Sequence, residues 1–303
     1  MQRRLTKLTS ALLVFLTVFM LCSFSVSAAS PEPFVRESRM AKINLSVSGI
    51  GNKNAGYYRK ADVYINGKGA SFDAKIINGV AYLPTEDFIE SVSSAEAVYD
   101  SKSKTLIAYG AGYDIAVSDG AYVFYSSQRP MFALTPSVVL SDGKMYSPIS
   151  VLARGLGVSI TLGDSVFVSG NSAPLLRADK FYREDAVYWL SRIINAESRG
   201  EPLLGQIAVG GVVLNRVESS LYPNTIWGVI FDKKYGVQFS PIIDGSIYAE
   251  PTYTAILAAK ICLEGFSVAD DTLFFLYPSA STSSWIPKNR EYAFSIGNHD
   301  FYR

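Results

Sequence analysis

Around Asn171-Ser172-Ala173-Pro174 the apolar pattern changes from a period of two to a period of 3.6 residues. Strands therefore give way to helices there. A β-rich part ahead of a mainly helical one is an α+β organisation, and 303 residues allow two domains at roughly 100 to 200 residues each. Composition narrows the function classes. With 28 Lys and Arg against 27 Asp and Glu, and no basic cluster, the chain lacks the footprint of a nucleic-acid binder. One His and two Cys cannot build a zinc cage or a multi-disulfide scaffold, so neither metal nor cofactor is expected.

The first 29 residues read as a secretory signal peptide. Arg3, Arg4 and Lys7 precede the uncharged run Ala11 to Phe24, and small residues follow at Val26-Ser27-Ala28-Ala29. The run is shorter than the roughly 20 residues a membrane span needs, and Leu21 before Cys22 is not the small residue expected ahead of a lipid-modified cysteine. Membrane contact is expected only during export, with the mature chain secreted. Taking three leader cations from the 28 leaves 25 against 27 acidic residues, and Cys262 becomes the only thiol. No internal disulfide can then form, and each domain needs its own core. Residues 30–60 are polar and aperiodic, and read as a flexible lead-in.

From Val63 to Gly170 the pattern is that of strands and turns. Val63-Tyr64-Ile65-Asn66-Gly67-Lys68 reads as a strand entering a turn, and Asn78-Gly79 between apolar runs is a hairpin signal. The segment Asn78-Gly79-Val80-Ala81-Tyr82-Leu83-Pro84 matches Asp142-Gly143-Lys144-Met145-Tyr146-Ser147-Pro148 at an offset of 64. A short helical pattern follows each Pro, with Phe88, Ile89 and Val92 aligned to Leu152, Ala153 and Leu156. Each copy closes on a strand, Thr105 to Gly110 and Ser165 to Gly170. This tandem arrangement, over residues 61–170, resembles the copper amine oxidase N-terminal-like domain. The resemblance implies an accessory module contacting wall polymer, and with no His cluster present it carries no copper site. Tyr82, Tyr109, Tyr113, Tyr122 and Tyr125 are either sugar-stacking faces or core.

Residues 171–178 read as a linker and 179–303 as the helical domain. From Asp185, the residues Ala186, Leu190, Ile193, Ile194 and Glu197 fall on one helical stripe, with Glu197 within roughly 20° of Ala186. Gly200 and Pro202 then stop the helix, which puts Glu197 in its last turn. Apolar surroundings and the negative helix end both raise a carboxyl pKa, so Glu197 can donate a proton. Helix geometry alone favours a residue that snorkels to water, or that pairs with Arg192 or Arg199.

Ile193-Ile194-Asn195-Ala196-Glu197-Ser198-Arg199-Gly200-Glu201-Pro202 and Gly205 through Val217 resemble the SleB/CwlJ cell-wall hydrolase family. So do Tyr222-Pro223-Asn224-Thr225-Ile226 leading to Val229-Ile230, Gln238-Phe239-Ser240-Pro241, and Ile296-Gly297-Asn298-His299-Asp300-Phe301-Tyr302. The resemblance implies a lysozyme-like, mostly helical domain that cleaves the glycan strands of peptidoglycan, in cell wall or spore cortex. It also implies lytic transglycosylase chemistry, with Glu197 as the catalytic acid.

Around that acid, Glu201 is a possible supporting carboxyl, with Asp232 and Asp244 as options in turn-like sequence. Gln238 and Ser240 flank Phe239 and offer amide and hydroxyl groups beside an apolar face, which suits an N-acetyl sugar. Asn215, Tyr277, Asn298, His299 and Tyr302 complete the expected substrate-binding set. Gln206 to Val217 should be a buried helix from which Arg216 leaves the core, and Pro251 to Gly265 a packing helix. A Cys262/His299 peptidase is the rival enzyme reading. It is disfavoured because Cys262 falls at a helix end, where the dipole opposes a thiolate. A wall-binding protein without turnover is the other alternative.

Overall fold

The computed structural model describes residues 58–303 apart from 235, 280, 282 and 283. The expected signal peptide and most of the expected lead-in lie outside the described residues. Among the described residues no helix is long and apolar enough to cross a membrane.

The β-rich half runs β1 Arg59–Ala61, β2 Val63–Ile65, β3 Lys68–Gly69, β4 Ala74–Ile77, β5 Val80–Pro84 and α1 Thr85–Val92. It continues with β6 Glu96–Asp100, β7 Thr105–Gly110, β8 Tyr113–Ser118, β9 Val123–Ser126 and β10 Arg129–Phe132. It ends with β11 Val138–Val139, β12 Met145–Pro148, α2 Ile149–Leu156, β13 Ser159–Leu162 and β14 Val166–Ser169. Among the described residues the first strand starts at Arg59, ahead of the expected Val63. Asn78 and Gly79 both take positive φ, 50° and 81°, as the tight β4–β5 hairpin turn requires.

The two matching segments meet in space. Strand β12 pairs antiparallel with β5 in the register Tyr146↔Pro84, Ser147↔Leu83 and Pro148↔Tyr82. A helix then leaves each strand at its proline, where the missing N–H costs nothing. The chain ends of this half also join, because β14 runs parallel to β2 with Val166 beside Val63. Phe88, Ile89, Leu152 and Leu156 are fully buried beneath the sheets. Helix α2 approaches β9 so closely that a Cβ on Gly155 would lie 2.5 Å from the Phe124 ring. Tyr82 and Tyr113, two of the five tyrosines considered for sugar stacking, are buried core residues, whereas Tyr122 is exposed. The sheet surface instead presents Phe167, half exposed and stacked on Tyr64 at 5.4 Å.

The helical half comprises α3 Ala178–Phe181, α4 Glu184–Ser198, α5 Leu203–Glu218, α6 Ile226–Ile230, α7 Pro241–Asp244 and α8 Tyr253–Leu263. Strand β15 Phe274–Leu276, α9 Trp285–Asn289, β16 Tyr292–Ile296 and β17 His299–Tyr302 follow, and β17 is the middle strand of a three-stranded sheet. Helix α5 is buried nearly all round. It packs on α4 and α8 where a Cβ on Gly210 would meet Ile194 at 2.7 Å and the Cys262 sulfur at 2.8 Å, so only glycine permits that crossing.

The halves are less separate than a linker at 171–178 implies. Phe132 of β10 belongs to the core of the helical half and meets Phe266 edge-on at 4.8 Å. Beside it Arg129 forms a bidentate pair with Glu264, both bonds 2.8 Å. The Tyr182 hydroxyl also donates to Glu264, and Arg154 donates to the Glu264 carbonyl at 3.1 Å.

Candidate active site

Glu197 is the penultimate residue of α4. The helix end is fixed from both sides. Ser198 donates its hydroxyl to the Ile194 carbonyl at 2.7 Å, and the buried Asn195 accepts from the Thr252 N–H at 3.0 Å, tying α4 to the start of α8. Neither candidate ion-pair partner takes the Glu197 carboxylate. Arg192 turns to Glu250 at 3.1 Å and to the carbonyls of Tyr248 and Ala249, while Arg199 is exposed.

Among the described residues no hydrogen bond or ion pair engages the half-buried Glu197 carboxyl. Burial pushes its pKa up to about 7, Asp244 adds to the rise, and the Arg216 cation opposes it. Asp244, at the end of α7, is exposed and held by Ser246, which keeps its own carboxyl below the usual range. Two carboxyls in one neighbourhood are thereby driven apart in pKa, an arrangement suited to a proton donor beside a fixed negative charge.

Arg216 does not leave the core as its charge led us to expect. It is 5% exposed, its Nε donates to the Leu273 carbonyl at 2.7 Å, and the rings of Tyr222 and Phe239 lie 5.1 Å from the guanidinium. Phe274 lies at 5.6 Å. Aromatic faces thus supply what water would have given the cation. Its neighbour Asn215 donates to the Asp270 and Thr272 carbonyls at 2.8 and 3.0 Å, fastening α5 to the approach to β15. Phe239 is buried against Phe275, Gln238 is half-buried and donates to the Gly236 carbonyl, and Ser240 is exposed at the head of α7.

The β16–β17 turn brings the terminal candidates together. Glu201 lies in the loop between α4 and α5. Its two oxygens accept the backbone N–H of Asn298 at 2.9 Å and its Nδ2 at 2.8 Å. Burial opposes ionisation there, but these bonds and the nearby His299 outweigh it and hold the carboxyl below its usual range. His299 is 5% exposed, its Nδ1 is 3.9 Å from Glu201, and burial lowers its pKa. Its ring stands 5.9 Å from that of the exposed Tyr277, and Tyr302 is buried beside Tyr292. Cys262 is 2% exposed and donates to the Ile207 carbonyl at 3.3 Å, deep in the helical core.

Sequence reasoning missed the Arg216 collar and an aromatic cluster on the α4–α6 side. There the half-exposed Trp227 stacks on Phe231 at 5.1 Å, with Trp189 edge-on to Phe231 at 5.2 Å. The aromatic spacing on α6, Trp227 to Phe231 at i, i+4, was the available signal.

Residues 200–302 match a family model described as Cell Wall Hydrolase, a span that opens just after Glu197. The chain is 38% identical to a spore cortex-lytic enzyme of Bacillus cereus over 120 residues, which cover 40% of this chain and 45% of that protein. It is 34% identical to one of Oceanobacillus iheyensis over 139 residues, covering 44% and 49%. The matched segment thus spans less than half the length of these relatives. A solved catalytic domain, from the germination-specific lytic transglycosylase SleB of Bacillus anthracis, is 38% identical over 40% of this chain and 97% of its own, with a TM-score of 0.37. The C-terminal part of this chain is therefore a domain of the cell wall hydrolase family, homologous to spore cortex-lytic enzymes.

Proposed function

We propose that this chain is an exported peptidoglycan-cleaving enzyme, a lytic transglycosylase that cuts between N-acetylmuramic acid and N-acetylglucosamine. The observation that carries this reading is the half-buried Glu197 carboxyl, unengaged by hydrogen bond or ion pair among the described residues, with a pKa near 7. Such a group is populated in both protonation states at neutral pH, as an acid that must later act as a base requires. The family match and the cortex-lytic relatives supply the substrate class, cell wall or spore cortex.

In this mechanism Glu197 gives its proton to the glycosidic oxygen, and the C1–O bond breaks with its electron pair left on that oxygen. The muramyl 6-hydroxyl attacks C1 and returns its proton to Glu197. A 1,6-anhydro end forms and no water is consumed. One carboxyl serves both steps, whereas paired-carboxylate glycosidases need two, about 5 to 9.5 Å apart. Gln238, Ser240 and Tyr277 would meet the sugar. Asn215, Phe239, Glu201, Asn298 and Tyr302 would hold the walls, since their polar or aromatic groups are already spent on neighbours, and His299 would stand with them as a buried ring against Phe275 and Phe301.

For the β-rich half we propose two repeats of a copper amine oxidase N-terminal-like unit acting as a wall-contacting accessory. The antiparallel meeting of Tyr82-Leu83-Pro84 with Tyr146-Ser147-Pro148 supports that reading. A spore or wall location follows from the relatives.

Glu197→Gln tests the main reading, because it removes the acid and keeps the shape. Loss of glycan release from purified peptidoglycan is expected. Mass spectrometry of wild-type products should find anhydro ends. An active variant overturns the role of Glu197, and reducing ends overturn the transglycosylase step.

A further inference from the structure

We propose that Arg216 is a positioning residue for Glu197: a buried cation, caged by aromatic rings with one terminal nitrogen unpartnered, that receives the carboxylate formed when Glu197 gives up its proton. The inference rests on the reading of Glu197 as the acid.

The case starts from a cost. A guanidinium taken out of water needs hydrogen-bond acceptors or a counter-charge. Arg216 is 5% exposed, and Nε alone is fastened, to the Leu273 carbonyl. Its Nη1 is buried with no partner among the described residues. No described carboxylate comes within ion-pair distance of it, in contrast to Arg129, whose guanidinium is closed by Glu264. The rings of Tyr222, Phe239 and Phe274 offer faces to the cation but accept little from an N–H. A buried donor has thus been left open.

The charges around it select Glu197 as the group served. The titratable groups that reach Arg216 are Tyr222 after α5, Glu197 at the end of α4, and Asp232 after α6. Those that reach Glu197 are Asp244 of α7, which resists its ionisation, and Arg216 of α5, which favours it. While Glu197 holds its proton the attraction is weak. Once the proton passes to the glycosidic oxygen, a carboxylate stands in a poorly hydrated space with Arg216 as its cation. Arg216 keeps all its own protons, and the pair relaxes when Glu197 takes the proton of the attacking hydroxyl. An interaction that strengthens only along the reaction lowers the barrier instead of tightening ground-state binding.

The test is the pH profile of kcat/KM for glycan release from purified peptidoglycan, using the full chain and the variants Arg216→Gln, Arg216→Met and Arg216→Lys. Near-UV circular dichroism and thermal unfolding report whether each is folded. Loss of the cation should move the basic limb, set by Glu197, up by about half a unit or more, and cut the optimum rate roughly 10²-fold. Lysine should leave the limb in place. A folded Gln or Met variant whose limb stays at the wild-type pH overturns the proposal. If neither folds, Arg216→Lys decides: an unmoved limb supports the charge role, and a limb raised as by a lost cation overturns it. Glu197→Gln keeps the two readings apart. An active Glu197→Gln sinks the acid itself, whereas an inactive one with an unmoved Arg216 limb sinks only this inference.

Discussion

Arg129 on β10 and Glu264 just past α8 close a bidentate ion pair across the boundary between the sheet and helix halves, with their side chains 11% and 1% exposed. The Phe181 ring lies 3.3 Å from the guanidinium carbon, and the Tyr182 hydroxyl adds a third donor to the carboxylate. Such a pair adds little over a well-packed apolar substitute, but removing one member strands the other. Arg129→Met should therefore destabilise the protein by about 3–5 kcal/mol in urea unfolding. The double variant Arg129→Met with Glu264→Gln should recover part of the loss. Equal stability of Arg129→Met and wild type would show that the halves do not depend on this contact.

How far the sequence could be read depended on the distance over which each signal acts. Thr105 to Gly110 is strand β7 to the residue, and Asn78-Gly79 is the hairpin turn, because strand alternation and turn chemistry are local. The position of Glu197 in the last turn of α4 was legible for the same reason, since the helical period and the Gly200 and Pro202 stop lie within a few residues of it, whereas helix geometry left its role open. Arg216 was not. A charged residue on an apolar helix is expected to reach water, and the collar that retains it comes from the loop after α5, the approach to α7, and β15. The Arg129–Glu264 pair, 135 residues apart, and Phe132 in the helical core were equally hidden, since period marks where an element begins and not which elements share a core.

Glu197 should make the protein less stable as pH rises. Its folded pKa of about 7 lies above its ordinary 4.5, so the folded state holds the proton longer, and stability is lost progressively as pH rises from near 4.5 through 7. Glu197→Gln removes this loss. In urea unfolding the variant should match wild type near pH 4 and exceed it by on the order of 2–3 kcal/mol at pH 8. A constant difference across that window would mean that Glu197 is not desolvated.

Asp244→Asn should shift the basic limb of the activity profile the opposite way to loss of Arg216. Asp244 disfavours the ionised form of Glu197, so neutralising it lets Glu197 lose its proton at lower pH. Because Asp244 is exposed, its influence should shrink between 0.05 and about 1 M salt, where the Debye length falls to roughly 3 Å. A limb that moves up in the variant, or that stays put at low salt, would remove Asp244 from the site's electrostatics.

Gly297→Ala tests the lock that joins the terminal sheet to the α4–α5 loop. Gly297 takes φ +60°, and a Cβ there would lie 1.9 Å from Glu201 Oε2 and 3.2 Å from its Cδ. Glu201 must then swing away from Asn298, losing both hydrogen bonds, while the alanine bears the left-handed backbone conformation. The two effects together should cost about 2–4 kcal/mol in thermal or urea unfolding. Glu201→Gln keeps the shape but offers one acceptor oxygen where Glu201 uses two, so it loses the charge and one of the two bonds while the backbone turn stays unstrained, and it should cost less. Its deficit should appear above the usual carboxylate pKa and fade as acid protonates wild-type Glu201, whose folded pKa is depressed. A Gly297→Ala protein as stable as wild type would show that the turn can re-form without the Glu201 contact.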